Sequence, residues 1–157
     1  MDNRQELNRG SIIIHGSIRF EITGLLGKGG SSIAYTAQYR DSLVEGGIHK
    51  CIIKELFPYH PGGTIRRAKN GEIQFPPELR SFYDAHTERF IRGSRLHLHM
   101  LDSSPDSVGA YFDSFRYNKT IYSVLGINSI ETLSAGHCSL NSLKDITVFI
   151  IKLLKAV

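Results

Sequence analysis

Leu26-Gly27-Lys28-Gly29-Gly30-Ser31-Ser32-Ile33-Ala34-Tyr35, followed by Cys51-Ile52-Ile53-Lys54-Glu55, are the two stretches whose reading decides the fold. After the glycines, Ile33, Tyr35, Ala37 and Tyr39 fall at alternate positions, the period of two of a half-buried strand. Cys51 to Ile53 is a short apolar run that leads into a lysine. A glycine turn between two strands can bring backbone N–H groups against phosphate oxygens, and a lysine on the next strand can reach the same phosphates. A dinucleotide-binding turn would instead pass from its glycines directly into a helix. The pattern therefore predicts a nucleotide site built between strands.

Working outward, residues 1–10 are polar and read as a flexible N-terminus. Ile12-Ile13-Ile14 and Phe20-Glu21-Ile22 begin strand-like patterns on either side of a turn at Gly16. Residues 41–49 contain Gly46-Gly47 and read as a hairpin connection into the strand that carries Lys54. Asn70-Gly71 lies between two short runs and predicts a small accessory hairpin. Residues 78–100 place Leu79, Phe82, Tyr83, Phe90 and Ile91 at helical spacing, which predicts one long helix with a weak point at Gly93. Residues 110–117 and 120–125 predict a second hairpin around Asn118-Lys119. From Asn141 onward, Ile146, Phe149, Ile150, Leu153 and Leu154 mark the apolar stripe of a further helix.

The chain of 157 residues, 41% hydrophobic, is of a size to fold around one core. Its net charge of +4 favours anionic ligands, yet the basic residues are scattered and not interleaved with aromatics, which argues against a nucleic-acid partner. Cys51 and Cys138 stand far apart, with no disulfide framework or zinc-type spacing, which points to a reducing, cytoplasmic setting. No apolar run approaches the roughly 20 residues of a membrane span, so no membrane contact is expected. His97 and His99, two apart on a helix, point about 200° away from each other, so no metal site is expected there.

The order of strand, glycine loop, strand, strand with lysine, long helix, two strands and helix resembles the small lobe of the eukaryotic-type serine/threonine protein kinases, in a divergent bacterial-type form. The resemblance runs over residues 18–157. Gly27 and Gly29 match the first two glycines of the family's G-x-G-x-x-G loop, with Lys28, Gly30 and Ser31 between and Ser32 in place of the third glycine. Ala34 stands for the family's valine, and Cys51-Ile52-Ile53-Lys54 for its V-A-I-K. Tyr122-Ser123-Val124-Leu125-Gly126-Ile127-Asn128 is similar to the strand and hinge behind adenine, with Leu125 as gatekeeper and Gly126, Ile127 and Asn128 along the adenine edge.

The resemblance implies an α+β fold, a five-stranded antiparallel sheet with one long helix and an accessory hairpin. It divides the chain into the N-terminus, a kinase-like lobe over residues 11–128, and over 129–157 a connector with the first helix of a truncated second lobe. It implies ATP under the loop, adenine beneath Ala34 and Ile52, and Lys54 as the catalytic lysine on the α and β phosphates. The parent enzyme would use magnesium to transfer the γ-phosphoryl group to a serine or threonine of a protein substrate. Arg89-Phe90-Ile91-Arg92-Gly93-Ser94-Arg95-Leu96 is similar to the family's R-F-L-R-E-A-x-L, which puts Gly93 where the lysine's glutamate partner belongs. Neither an H-R-D nor a D-F-G motif occurs in the sequence, so the chain reads as a fragment that is catalytically silent alone. The alternative reading is a non-catalytic pseudokinase or regulatory protein-interaction module.

Overall fold

The computed structural model describes residues 2–40, 47–103 and 110–127. The connection at 41–46, the hinge position Asn128, and the connector and helix expected over 129–157 lie outside the described residues. Six strands form one antiparallel sheet: β1 (Ile12–His15), β2 (Ile18–Lys28), β3 (Ser32–Arg40), β4 (Ile48–Leu56), β7 (Tyr111–Tyr117) and β8 (Thr120–Gly126), in the order β1-β2-β3-β4-β8-β7. The accessory hairpin is present as β5 (Arg66–Arg67) and β6 (Ile73–Gln74), turned through Gly71 at φ 87°.

The sheet has six strands where the sequence reading counts five, and the difference is β1. A tight turn at Gly16, with φ 59°, folds β1 back along β2 and pairs Ile12 with Glu21 and His15 with Ile18. The sheet curls until its two edge strands meet. There His15 Nε2 lies 2.7 Å from Asp113 Oδ2, and the His15 ring stacks on Phe115 at 4.2 Å between centroids. Covering one edge with another removes unpaired strand faces that would otherwise invite association.

Alternation explains the core. Ile33, Tyr35 and Ala37 of β3, Cys51 and Ile53 of β4, and Tyr122 and Val124 of β8 all point to the concave side and are buried. Glu55 is also on this side and has no exposed surface. A buried carboxylate is tolerated only when its lone pairs are satisfied. Glu55 accepts from Tyr35 Oη at 2.9 Å, Tyr122 Oη at 2.5 Å and Arg67 Nη2 at 2.5 Å. Arg67 comes from the accessory hairpin, so this network also fastens that hairpin to the sheet. Burial next to Glu55 pushes both tyrosine hydroxyls well above their ordinary pKa and keeps them donors.

The helix α1 (Arg80–Ser103) is entered through a 3-10 turn at Pro77–Leu79, where Pro77 supplies the preset φ favoured at a helix start. It continues through Gly93 without a break. Tyr83 is buried against Phe75, with ring centroids 4.2 Å apart, and its hydroxyl donates to Thr120 Oγ1 at 2.9 Å. Residues 2–10, read from their polar composition as a flexible tail, lie against the sheet with Arg4 and Leu7 buried. The two anchoring side chains are separated by polar residues, which hides them from a composition argument. No described helix is long and apolar enough to cross a membrane.

Candidate functional site

Strand register places the sequence-selected residues in two parallel rows on the face opposite the core. The first row runs Gly27, Ala34, Lys54, Ser123, Ser114 across five strands. The second runs Gly24, Thr36, Ile52, Leu125, Tyr111. Lys54 and Glu55 are neighbours in sequence and therefore face opposite sides. The core carboxylate is no partner for the lysine.

Helix α1 crosses this face and forms with it a cleft of about 240 Å³. Its polar lining consists of Lys54, Arg89, His86 and His97 together with Ser31, Ser32, Ser94, Ser123 and Tyr111. Among the described residues, no aspartate or glutamate lines it. Lys54 Nζ lies 5.9 Å from the Phe90 ring centroid and makes no ion pair among the described residues. Gly93 lines the same cleft, and Glu88 of the same helix is exposed and does not. Behind the lysine, Ser123 Oγ lies 2.7 Å from Ser114 Oγ and 3.1 Å from Ser94 Oγ. The cleft thus combines cations with hydroxyl groups, a donor set suited to an anion.

The glycine loop closes one end. Ser31 Oγ is 3.0 Å from His86 Nδ1, which ties the loop to the helix. Partial burial, with Arg89 nearby, holds the His86 imidazole below its usual pKa and favours the neutral ring in that contact. The carbonyls of Gly29, Gly30 and Ser31 all accept hydrogen bonds, from Arg4 Nη2 at 2.6 Å, Tyr59 N at 2.8 Å and Phe57 N at 3.1 Å. Among the described residues, the Gly30 and Ser31 N–H groups donate to no protein acceptor. Neither Gly27 nor Gly30 has a positive φ, and a Cβ at either would meet nothing within 4 Å. The fold of the chain itself does not require glycine at these positions.

Ser31, Ser32, Lys54 and Leu125 therefore meet at the cleft, and Ala34 and Ile52 lie beside it on the same face. Lys28, Gly29 and Gly30 border the outer side of the loop, where Arg4 and Tyr59 pack. The Lys28 ammonium is engaged by Glu6 at 2.6 Å. Gly126 donates its N–H to the Ala110 carbonyl at 2.7 Å, and a Cβ there would come within 2.8 Å of Ala110 Cβ, so close strand packing demands that glycine. Ile127 is exposed beyond the end of β8. The sequence reading did not select His86, Ser94 or Ser123 as site residues. Their signal was positional: 86, 90, 93, 94 and 97 form one helical stripe, and Ser123 precedes Leu125 by the two residues that keep a strand on one face.

Over the described residues the fold is kinase-like, with a curled antiparallel sheet, a glycine loop and one long helix. Among solved structures, the apo form of PpkA-294 shares this arrangement with a TM-score of 0.63 and 23% sequence identity. The match covers 86% of this chain and 43% of that one, so this chain spans less than half the length of its structural neighbour. No protein-family model matches the sequence, and no curated protein matches it.

Proposed function

We propose that this chain is the ATP-binding lobe of a protein kinase-like protein, with the triphosphate held between the glycine loop and Lys54. The observation that carries the reading is Lys54 in a cleft whose described lining holds no carboxylate, in one strand row with Gly27 and Ala34. An ammonium without an ion pair and N–H donors without an acceptor among the described residues, beside hydroxyl groups, favour an oxyanion of high charge density. A phosphate close to the backbone is also a reason for glycine at positions 27 and 30, where the protein's own packing supplies none. At about 240 Å³ the cleft is smaller than the roughly 300–1,000 Å³ of sites that enclose a whole ligand. It suits the phosphate end, leaving adenine to Ala34, Ile52, Leu125, Gly126 and Ile127.

In a longer protein carrying a catalytic loop and a magnesium-binding aspartate, Lys54 would act as the catalytic lysine in transfer of the γ-phosphoryl group to a protein serine or threonine. Among the described residues the cleft offers no carboxylate for magnesium. A second reading, a lobe that binds nucleotide or a protein partner without phosphoryl transfer, is favoured by Gly93, which brings no carboxylate to Lys54 from the helix. Calorimetric titration with ATP and magnesium tests the nucleotide site. Loss of a charge-assisted phosphate contact in Lys54→Met weakens binding by about tenfold or more. Equal binding by the two proteins would remove Lys54 from the site.

A further inference from the structure

We propose that Arg4 is a positioning residue for the glycine loop, acting from the outer side through residues 2–7. The proposal rests on the nucleotide-site reading, and extends it to a segment that the family motifs do not include. Arg4 is only 4% exposed, unusual for an arginine unless its guanidinium is paired and hydrogen-bonded. Its Nη2 donates to the Gly29 carbonyl at 2.6 Å and its Nη1 to the Phe57 carbonyl. Asp2 takes up its charge, with Nε–Oδ1 at 3.0 Å and Nη2–Oδ2 at 2.5 Å. The guanidinium also lies over the Phe57 and Tyr59 rings, at 5.8 and 5.9 Å from their centroids.

The contacts converge on the loop. Gly30 and Ser31 have their carbonyls held by the backbone N–H groups of Tyr59 and Phe57, whereas the Gly29 carbonyl is held by the Arg4 side chain. Arg4 also bonds the Phe57 carbonyl, so one planar fork joins the loop to the chain segment that fixes the rest of it. Lys28, at the loop's entrance, reaches back to the Arg4 carbonyl at 2.6 Å and to Glu6 at 2.6 Å. Leu7 is buried and donates its N–H to Tyr35 Oη at 3.1 Å, which anchors the far end of the segment in the core. With the carbonyls fixed on the protein side, the Gly30 and Ser31 N–H groups are kept in a set arrangement for an anion. A loop that must order itself on binding would lose affinity to that ordering.

The test compares the full chain with Arg4→Met and Arg4→Lys, using hydrogen exchange of the amides of Gly29, Phe57 and Tyr59, which donate to the carbonyls of Ser32, Ser31 and Gly30, and calorimetric titration with ATP and with adenosine. Arg4→Met is expected to speed exchange at these three amides by about tenfold while Ile53 and Val124 stay protected, the effect of losing one charge-assisted hydrogen bond. It should weaken ATP by a similar factor and leave adenosine, which lacks phosphates, unchanged. Arg4→Lys should not restore the loop, because one ammonium cannot bridge two carbonyls and a carboxylate as a fork does. If Arg4→Met does not fold, Asp2→Asn loosens the same guanidinium and should show the same local pattern with smaller amplitude. Unchanged loop exchange, or acceleration spread evenly over the core, overturns the proposal. Should the unaltered chain fail to bind ATP, the nucleotide reading falls, while the exchange data still decide whether Arg4 holds the loop.

Discussion

The ammonium of Lys54 lies 5.9 Å from the centre of the Phe90 ring, and Gly93, nearly one helical turn further along α1, brings no carboxylate to it. The aromatic face offers a weak attraction where an ion pair would offer a directional one. The cleft keeps its positive charge for a ligand.

Gly93 also weakens the helix that carries it. The residue is exposed within α1, has no positive φ, and a Cβ there would meet nothing within 4 Å. Gly93→Ala is therefore expected to stabilise the protein by about 0.8–1 kcal/mol, the propensity difference between the two residues. Gly93→Glu should lie below Ala on propensity and gain from the nearby lysine. Urea unfolding measures both, and a destabilised Gly93→Ala would show that the glycine is required for packing.

The buried network around Glu55 should respond far more strongly. Glu55 has no exposed surface and the Arg67 side chain is 5% exposed, so removing either leaves a buried charge without its partner. Glu55→Gln is expected to cost about 3–5 kcal/mol. Tyr122→Phe, which removes one hydrogen bond to the carboxylate, should cost about 1.5–3 kcal/mol. Denaturant titration of the single variants and of Glu55→Gln with Arg67→Met should reveal strong coupling, the double variant costing less than the sum.

The elements most legible in the sequence were those whose pattern is local. Ile33, Tyr35 and Ala37 alternate, Asn70-Gly71 marks a turn, and Phe82, Tyr83, Phe90 and Ile91 keep helical spacing; each appears in the structure as read. Ile12-Ile13-Ile14 and the turn at Gly16 were legible as a strand beside β2, yet the five-strand count implied by the family resemblance left it out; the closure of β1 on β7 through His15 and Asp113, 98 residues apart, is what no local pattern records. Arg4 was missed for the same reason: its partners Gly29 and Phe57 are distant in sequence. In the candidate site, Lys54 and Ser31 stood out by residue type. The hydroxyl cluster of Ser94, Ser114 and Ser123 emerges only when register brings three elements together.

Acid should release the N-terminal segment before it unfolds the core. The hydrogen bond from Arg4 holds the Asp2 carboxyl at about 2, below its ordinary 3.8, against a smaller opposing effect of burial. A carboxyl depressed in this way contributes stability in full above its unfolded value, and that contribution is lost as pH falls through the folded one. Glu6 is lowered in the same direction by its hydrogen bond from Lys28. The Arg4 Nε resonance and the Gly29 amide, followed by NMR from pH 5 downward, should begin to shift below about 4 and still be changing near 2, where the folded carboxyl is half protonated. A segment that stays in place through this range would separate its anchoring from the Asp2 charge.

Cys51 offers a probe of the sheet's integrity. It lies in β4 opposite Ala37 and Gly126, has no exposed surface, and burial pushes its thiol up to about 11. Alkylation requires the thiolate, and at pH 8 such a thiol is ionised in roughly one molecule in a thousand, against about a quarter for an unperturbed cysteine. The folded protein should leave Cys51 unmodified by iodoacetamide, and denaturant should expose it to rapid labelling. Mass spectrometry of the peptide carrying residue 51 reads this directly. Rapid labelling under native conditions would mean that the β3-β4-β8 layer opens readily, and the strand rows that align Lys54 with Gly27 and Ser123 would then be transient.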